Sequence, residues 1–563
     1  MAAASGSGAG KGDGNLRGLT AAALCLVILV GSEAWAGAPA TGAGEYTVAL
    51  AASDDGDLAA PAPRDQALSD AQVLDLVRRA VDLVGGMGRA VADTAHLVVI
   101  KPNITIVQPS GSGVVTDARL VRAVALLVHE AAPAARLLIA EGPGGWVSAE
   151  NRDRYQIRVP FFARWFMDVE SDGFEAGGYR AVAEELRGRG LDIACFDLNF
   201  DAPDTLRPAG GGLGEGEYLI AASIGRADAW INCPVMKTHG TKITCAMKNR
   251  FGILPGQFYG ISKNSGTERH APLPHEPGGL DEIMVDLWAG APEALVVVDG
   301  IVGHEAGGLQ RGEPVRGNLV LAGTNPVAVD LTAAGLMGFN PDDMEFAELA
   351  HRVGRGPRTH DEVTVVGDDP ARLTRRFKKA GDSYRFMYYG DEFARHANYG
   401  TGPRYWTLLG PLPEDHAFTP AELEALAPVP GEGGWSPVVW FGHDAIDLDK
   451  QLGNPAHCAV YAFTWFTTAR SDSVRYWAGS DEGLTVWIDG QPVYEHTGRR
   501  VHRLGDDRVP GFLAAGEHRL LVRAAQGRGR FEFSFNIGEP VDDEAYAGNR
   551  SPGLRYYPVR DGQ

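Results

Sequence analysis

Ala229-Trp230-Ile231-Asn232-Cys233-Pro234-Val235-Met236-Lys237-Thr238-His239 begins as an apolar run, the pattern of a buried strand, and turns at once into a thiol, a lysine and a histidine. Thr244-Cys245-Ala246-Met247-Lys248-Asn249 follows and adds a second thiol and a second lysine. The chain as a whole carries a formal net charge of −20, so a local knot of cationic donors at a strand end suggests a pocket for an anionic ligand.

On either side of this stretch the pattern repeats. Leu97-Val98-Val99-Ile100 and the apolar runs at 137–140, 191–196, 294–298, 319–322 and 363–366 read as buried strands. Helical patterns lie between several of them. Ser69-Asp70-Ala71-Gln72 opens one with Val73, Leu76, Val77, Ala80, Val81 and Val84 on a face, and Thr116-Asp117 opens another with Leu120, Val121, Val124, Leu127 and Val128. Strands apolar throughout and alternating with helices predict an α/β domain with a mostly parallel sheet covered by helices on both faces. Ligands of such sheets lie beyond the carboxyl ends of the strands. Those ends carry Lys101-Pro102-Asn103, Glu141-Gly142-Pro143, the Cys233–His239 stretch and Asp299-Gly300.

The expected ligand-binding residues are therefore Lys101, Asn103, Glu141, Lys237, Lys248 and Asn249, with His239 and His270 as candidate proton-transfer groups. Composition alone leaves a solvated lysine pair and a hydrogen-bonded core histidine equally open. A rival reading joins Cys233, His239, Cys245 and His270 as ligands of zinc, nickel or iron, although the spacing matches no common zinc knuckle.

Taken in order, Lys101-Pro102-Asn103, Thr116-Asp117, Glu141-Gly142-Pro143, Cys233 to His239, Lys248-Asn249-Arg250-Phe251-Gly252 and Asn325-Pro326-Val327-Ala328-Val329-Asp330 resemble the DUF362 family over residues 95–368. The resemblance implies a domain of unestablished activity. Many members append ferredoxin-like cysteine runs; this chain has no Cys-x-x-Cys, so no iron–sulfur cluster is expected. Lys248, Leu254-Pro255-Gly256 and His270 also resemble elements of the lactate racemase family, which surround a nickel-bearing nucleotide cofactor. That likeness implies His239 or His270 removing a proton or hydride equivalent from a small hydroxy acid held by Lys237 and Lys248.

Beyond residue 368 the pattern becomes all-β. Leu484-Thr485-Val486-Trp487-Ile488, the turn Asp489-Gly490 and Gln491-Pro492-Val493-Tyr494 give a hairpin signal. With Gly479-Ser480-Asp481-Glu482-Gly483-Leu484 and the Gly516–Val522 strand, this half resembles galactose-binding-like jelly-roll sandwich modules. The resemblance implies glycan binding, with Trp477 and Trp487 stacking on sugar rings; strand tryptophans also fill sandwich cores.

Lys11 and Arg17, an apolar stretch from Leu19 to Val30 and Ala34-Trp35-Ala36 read as a cleavable export signal, with a retained N-terminal anchor as the alternative. The expected organisation is signal 1–36, flexible linker 37–66, α/β domain 67–368, connector 369–400, sandwich 401–540 and tail 541–563, in a periplasmic or extracellular protein with no stable membrane span after cleavage. Four cysteines remain after removal of Cys25, too few for a disulfide framework. The acidic surface and the lack of a basic stripe argue against nucleic acid. Two functions stand: a small-anion enzyme or binding domain, and a non-catalytic cell-envelope protein that holds glycan.

Overall fold

Aliphatic runs bounded by turns build the first half as a ten-stranded sheet. The structure, a computed structural model, describes residues 46–53, 62–154, 168, 170–239, 242–274, 279–306, 312–380, 402–543 and 545–560. The expected signal, 1–36, lies outside them. Among the described residues no helix is long and apolar enough to cross a membrane.

The strands are β1 (Thr47–Ala52), β2 (Leu97–Pro102), β3 (Arg136–Glu141), β4 (Ile193–Asp197), β7 (Ala229–Cys233), β8 (Val235–His239), β9 (Lys242–Thr244), β10 (Leu295–Glu305), β11 (Glu313–Gly323) and β12 (Thr364–Gly367). A separate hairpin joins β5 (Pro203–Leu206) and β6 (Tyr218–Ala221). The order is β12-β1-β11-β10-β7-β2-β3-β4, with β8 beside the far part of β10 and β9 on β8. From β10 to β4 all neighbours run parallel, whereas β11 is antiparallel to both β10 and β1. The sheet is thus largely parallel, with the expected layer of helices on each side.

Alternation along the strands feeds two cores. Val98 and Ile100 of β2 face the helices Asp70–Leu83, Ala118–Ala131 and Tyr179–Gly188, while Val99 faces Leu280–Gly290, Pro326–Leu336 and Glu345–Arg352. The helix starts follow from their caps: the Asp117 side chain accepts from Arg119 N at 2.9 Å, and Asn325 accepts from Val327 N and Ala328 N.

The linker expected over 37–66 does not hold at Thr47–Ala52. This stretch is strand β1, buried between β11 and β12 with Leu50 opposite Leu321. Its alanines suit a strand pressed between two helix layers, where small side chains leave room for close packing. In the expected connector, Pro370–Leu373 is helical and Phe377 is buried; residues 381–401 lie outside the described set.

The C-terminal half consists of two antiparallel sheets. One takes β13 (Tyr405–Pro413), β14 (Val439–Trp440), β16 (Cys458–Thr468), β18 (Leu484–Ile488), β19 (Gln491–His496), β21 (Gly516–Gln526) and β23 (Leu554–Tyr557); the other takes β15 (Ile446–Asp447), β17 (Asp472–Ser480), β20 (Asp507–Leu513) and β22 (Glu532–Gly538). Trp406, Val460, Phe466 and Val522 of the first share one core with Tyr476, Phe533 and Ile537 of the second. The segment expected as a tail supplies β23, which pairs Tyr557 with Trp465.

Polar contacts tie this half to the α/β half. Arg404 pairs with Glu345, Arg550 with Asp343 at 3.0 Å, and Asn340 Nδ2 donates to Ser551 O at 2.8 Å.

Candidate functional site

Five of the six residues expected to bind ligand form one hydrogen-bonded chain at the carboxyl ends of β2, β3 and β8. Lys101 Nζ donates to Glu141 Oε1 at 2.7 Å and to Asn249 Oδ1 at 3.2 Å. Asn249 Oδ1 also accepts from Asn103 Nδ2 at 3.0 Å, and Asn103 Oδ1 accepts from Lys237 Nζ at 2.6 Å. Lys237 donates a second bond to Val114 O at 2.7 Å.

Local structure fixes each member. Thr116 Oγ1 donates to Cys233 O at 2.7 Å and accepts from Asn103 N at 2.8 Å, tying the turn after β2 to the end of β7. Asp330 accepts from the amides of Ala246 and Met247 at 2.7 and 2.9 Å, holding the helical turn Ala246–Asn249 that carries Lys248 and Asn249. Asn232 accepts from Asn249 Nδ2 at 2.8 Å and donates to Glu293 at 2.8 Å, and Glu293 pairs with the fully buried Arg250 at 2.7 Å.

Gly252 roofs the Lys101–Glu141 pair. A Cβ there would lie 1.9 Å from Glu141 Oε1 and 2.6 Å from Lys101 Nζ, so only glycine allows the loop backbone this close. Glu141 also accepts from Ile104 N at 2.8 Å and Gly142 N at 2.9 Å. Lys101 is neutralised and enclosed, and its part is to order the site.

Lys237 differs. Both its partners are neutral, and among the described residues no carboxylate lies within ion-pair distance of it. Burial and the neighbouring Lys248 push its ammonium down to about 7. Lys248, half-buried with its Nζ 5.7 Å from the Phe251 ring, is lowered to about 7 by burial against the opposing charge of Asp281. His239 ends β8 and is buried.

Other buried ionisable groups at this end were not legible as site residues. His304 of β10 stands beside Lys237 in the sheet, and burial and that lysine push it down to about 4, keeping it neutral. Lys263 donates to Asn199 Oδ1 and is held by burial at about 7; it sits in a turn with a φ of 65° and no strand or helix pattern around it.

The expected metal set is not assembled. Cys233 lies in the core on one face of the sheet, and Cys245 in the core on the opposite face. Burial raises both thiols far above their usual range. His270 is set on the Tyr259 ring at 4.3 Å and faces Glu215 at 3.6 Å, with Nδ1 2.8 Å from Ala271 O, so it does not join Lys237 and His239 in one cluster. Among the described residues no three His, Cys, Asp or Glu side chains group as a metal site. The expected sugar platform also fails at Trp477, which is 1 % exposed with Arg508 4.1 Å over its ring. Trp487 is half-buried and packs on the Tyr461, Phe463 and Trp465 cluster.

Residues 98–335 match DUF362, a domain of unknown function. The DUF362 match spans the whole lysine network and the Asp330 clamp. The chain is also 23% identical over 311 residues to the thylakoid-associated protein sll1697 of Synechocystis, covering 55% of this chain and 84% of that protein. Among solved structures, the lactate racemase apoprotein of Thermoanaerobacterium thermosaccharolyticum aligns at 14% identity over 47% of this chain and 55% of that one, with a TM-score of 0.27. A beta-glucosidase of Kluyveromyces marxianus in complex with glucose aligns at 8% identity over 25% of this chain and only 16% of its own length, with a TM-score of 0.17. Structural scores this low support no shared fold.

Proposed function

We propose that the DUF362-like half of this protein binds a small anionic molecule at Lys237 and Lys248, with His239 as the group positioned to move a proton. One observation carries the reading: Lys237 is a buried ammonium whose hydrogen bonds end on the neutral oxygens of Asn103 and Val114. A buried cation without a counter-charge is costly, and an anionic guest removes that cost. Lys248 adds like charge, which strengthens the demand. Export of the protein is part of the same reading and is supported by the sequence of its leader.

A lysine titrating near 7 serves such a site in two ways. Protonated, it holds a carboxylate or phosphate; deprotonated, it accepts a proton from the bound molecule. Isothermal calorimetry with lactate, oxalate and inorganic phosphate tests the reading on the intact protein. Binding by at least one of them, lost in Lys237→Met with the melting transition retained, supports it; equal binding by wild type and Lys237→Met overturns it.

A further inference from the structure

His304 is a buried titratable group that the function proposed above does not use. It stands in β10 beside Lys237 of β8, after the irregularity that follows Asp299 in this pairing. Register partners of neighbouring strands face the same side of a sheet. Two further placements agree: Val302, two positions before His304, and Val114, whose carbonyl accepts from Lys237, belong to one core. The loop that carries Val114 is pressed onto this strand end, where a Cβ on Gly113 would lie 2.1 Å from Gly303 O. Lys237, Val114 and His304 therefore bound one spot.

Other charges around the ring are engaged elsewhere. The partner of His304 on β11 is Pro314, and Glu305, the next residue of β10, pairs with Lys378 at 3.3 Å. The loop Ser110-Gly111-Ser112-Gly113-Val114 brings no ionisable side chain, and on β8 the second titratable group is His239. The ring edge with Nδ1 lies on Gly312, where a Cβ would be 2.7 Å away, and a hydrogen bond to the Gly312 backbone holds the ring. Among the described residues, Lys237 is the charge that acts on His304, and together with burial it keeps the imidazole neutral.

An anion on Lys237 reverses that balance. It cancels the charge that opposes protonation and offers the protonated ring a counter-charge. We infer that His304 is a further binding residue of the anion site, which takes a proton from solvent as the guest arrives and holds the guest, as imidazolium, together with Lys237. A carboxylate or phosphate, with more than one anionic oxygen, suits two such donors. The inference rests on the reading of Lys237 as the anchor of the anion and adds a proton to the binding step.

Histidine-selective 15N NMR on the full chain tests it, because this reads the protonation of the ring whatever the titration of the guest. The His304 signals are assigned by their loss in His304→Gln and followed from pH 8 to pH 5. Without anion the ring stays predominantly neutral; with saturating lactate, oxalate or inorganic phosphate, whichever binds, its midpoint rises by at least about one pH unit. Lys237→Met raises the midpoint in the absence of anion, because the like charge is gone. An anion bound in a Lys237-dependent way with the His304 midpoint unmoved, or an unchanged midpoint in Lys237→Met, overturns this inference and leaves the anchoring role of Lys237 standing. Binding of none of the three anions overturns both.

Discussion

Lys237 and Asn103 meet at 2.6 Å across the carboxyl ends of β8 and β2, and through Asn249 the same chain of bonds reaches Lys101 and Glu141. The link makes one polar body out of residues far apart in sequence. It also separates two kinds of lysine: Lys101 has its carboxylate, and Lys237 has only amide oxygens.

The pH dependence of stability follows from that difference. Lys237 is held near 7 in the folded chain, below its unfolded value of about 10.4, so between those limits the unfolded chain binds more protons. Stability therefore rises with pH across this window, by up to about 1.4 kcal/mol per pH unit from this lysine, and the penalty is complete below pH 7. Melting curves from pH 7 to 10 show this rise, and Lys237→Met reduces its slope. A saturating anion flattens it as well, by supplying the missing counter-charge.

Glu141→Gln strands a buried ammonium. Its expected cost is about 3–5 kcal/mol, and Lys101→Met with Glu141→Gln in one chain recovers part of it. Urea unfolding of the two single variants and the double variant measures the coupling; additive losses would contradict the pairing.

Gly252→Ala places a methyl group 1.9 Å from Glu141 Oε1. The loop must lift or the Lys101–Glu141 pair must part, at a cost of roughly 1–3 kcal/mol. Circular dichroism melting reads the loss, while Gly354→Ala, strained at a φ of 70° but with open space around its Cβ, serves as the comparison.

Leu554 is fully buried in β23, in the segment whose sequence reads as a tail. Leu554→Ala is expected to cost about 2–5 kcal/mol, which denaturant titration measures. A change near zero would show that β23 adds nothing to the sheet.

The strands β2, β3, β7 and β10 were legible because each contains a short apolar run, and the rule for ligand placement in parallel sheets then picked out Lys101, Asn103, Glu141, Lys237 and Asn249. β1 was not, because Thr47–Ala52 lies in an Ala- and Gly-rich stretch where composition signals a linker; only the pairing with β11 and β12 makes it a strand. β23 escaped for the same reason, its four residues being defined by β16. Cys233 and Cys245 looked like partners in sequence, but Cys233 at the end of β7 and Cys245 at the start of the Ala246–Asn249 turn lie in the cores on opposite faces of the sheet, which linear spacing does not reveal. Lys263 and His304 reach the lysine end through a turn and the far part of a long strand, and no local pattern marks either one.

The most direct test of the central claim is proton uptake on anion binding, measured at pH 8 by calorimetry in two buffers of different ionisation enthalpy. The account predicts that binding of whichever of lactate, oxalate or phosphate the protein accepts draws protons onto Lys237 and Lys248, giving buffer-dependent heats that shrink in Lys237→Met. Heats independent of buffer, with the same affinity in wild type and Lys237→Met, would contradict it.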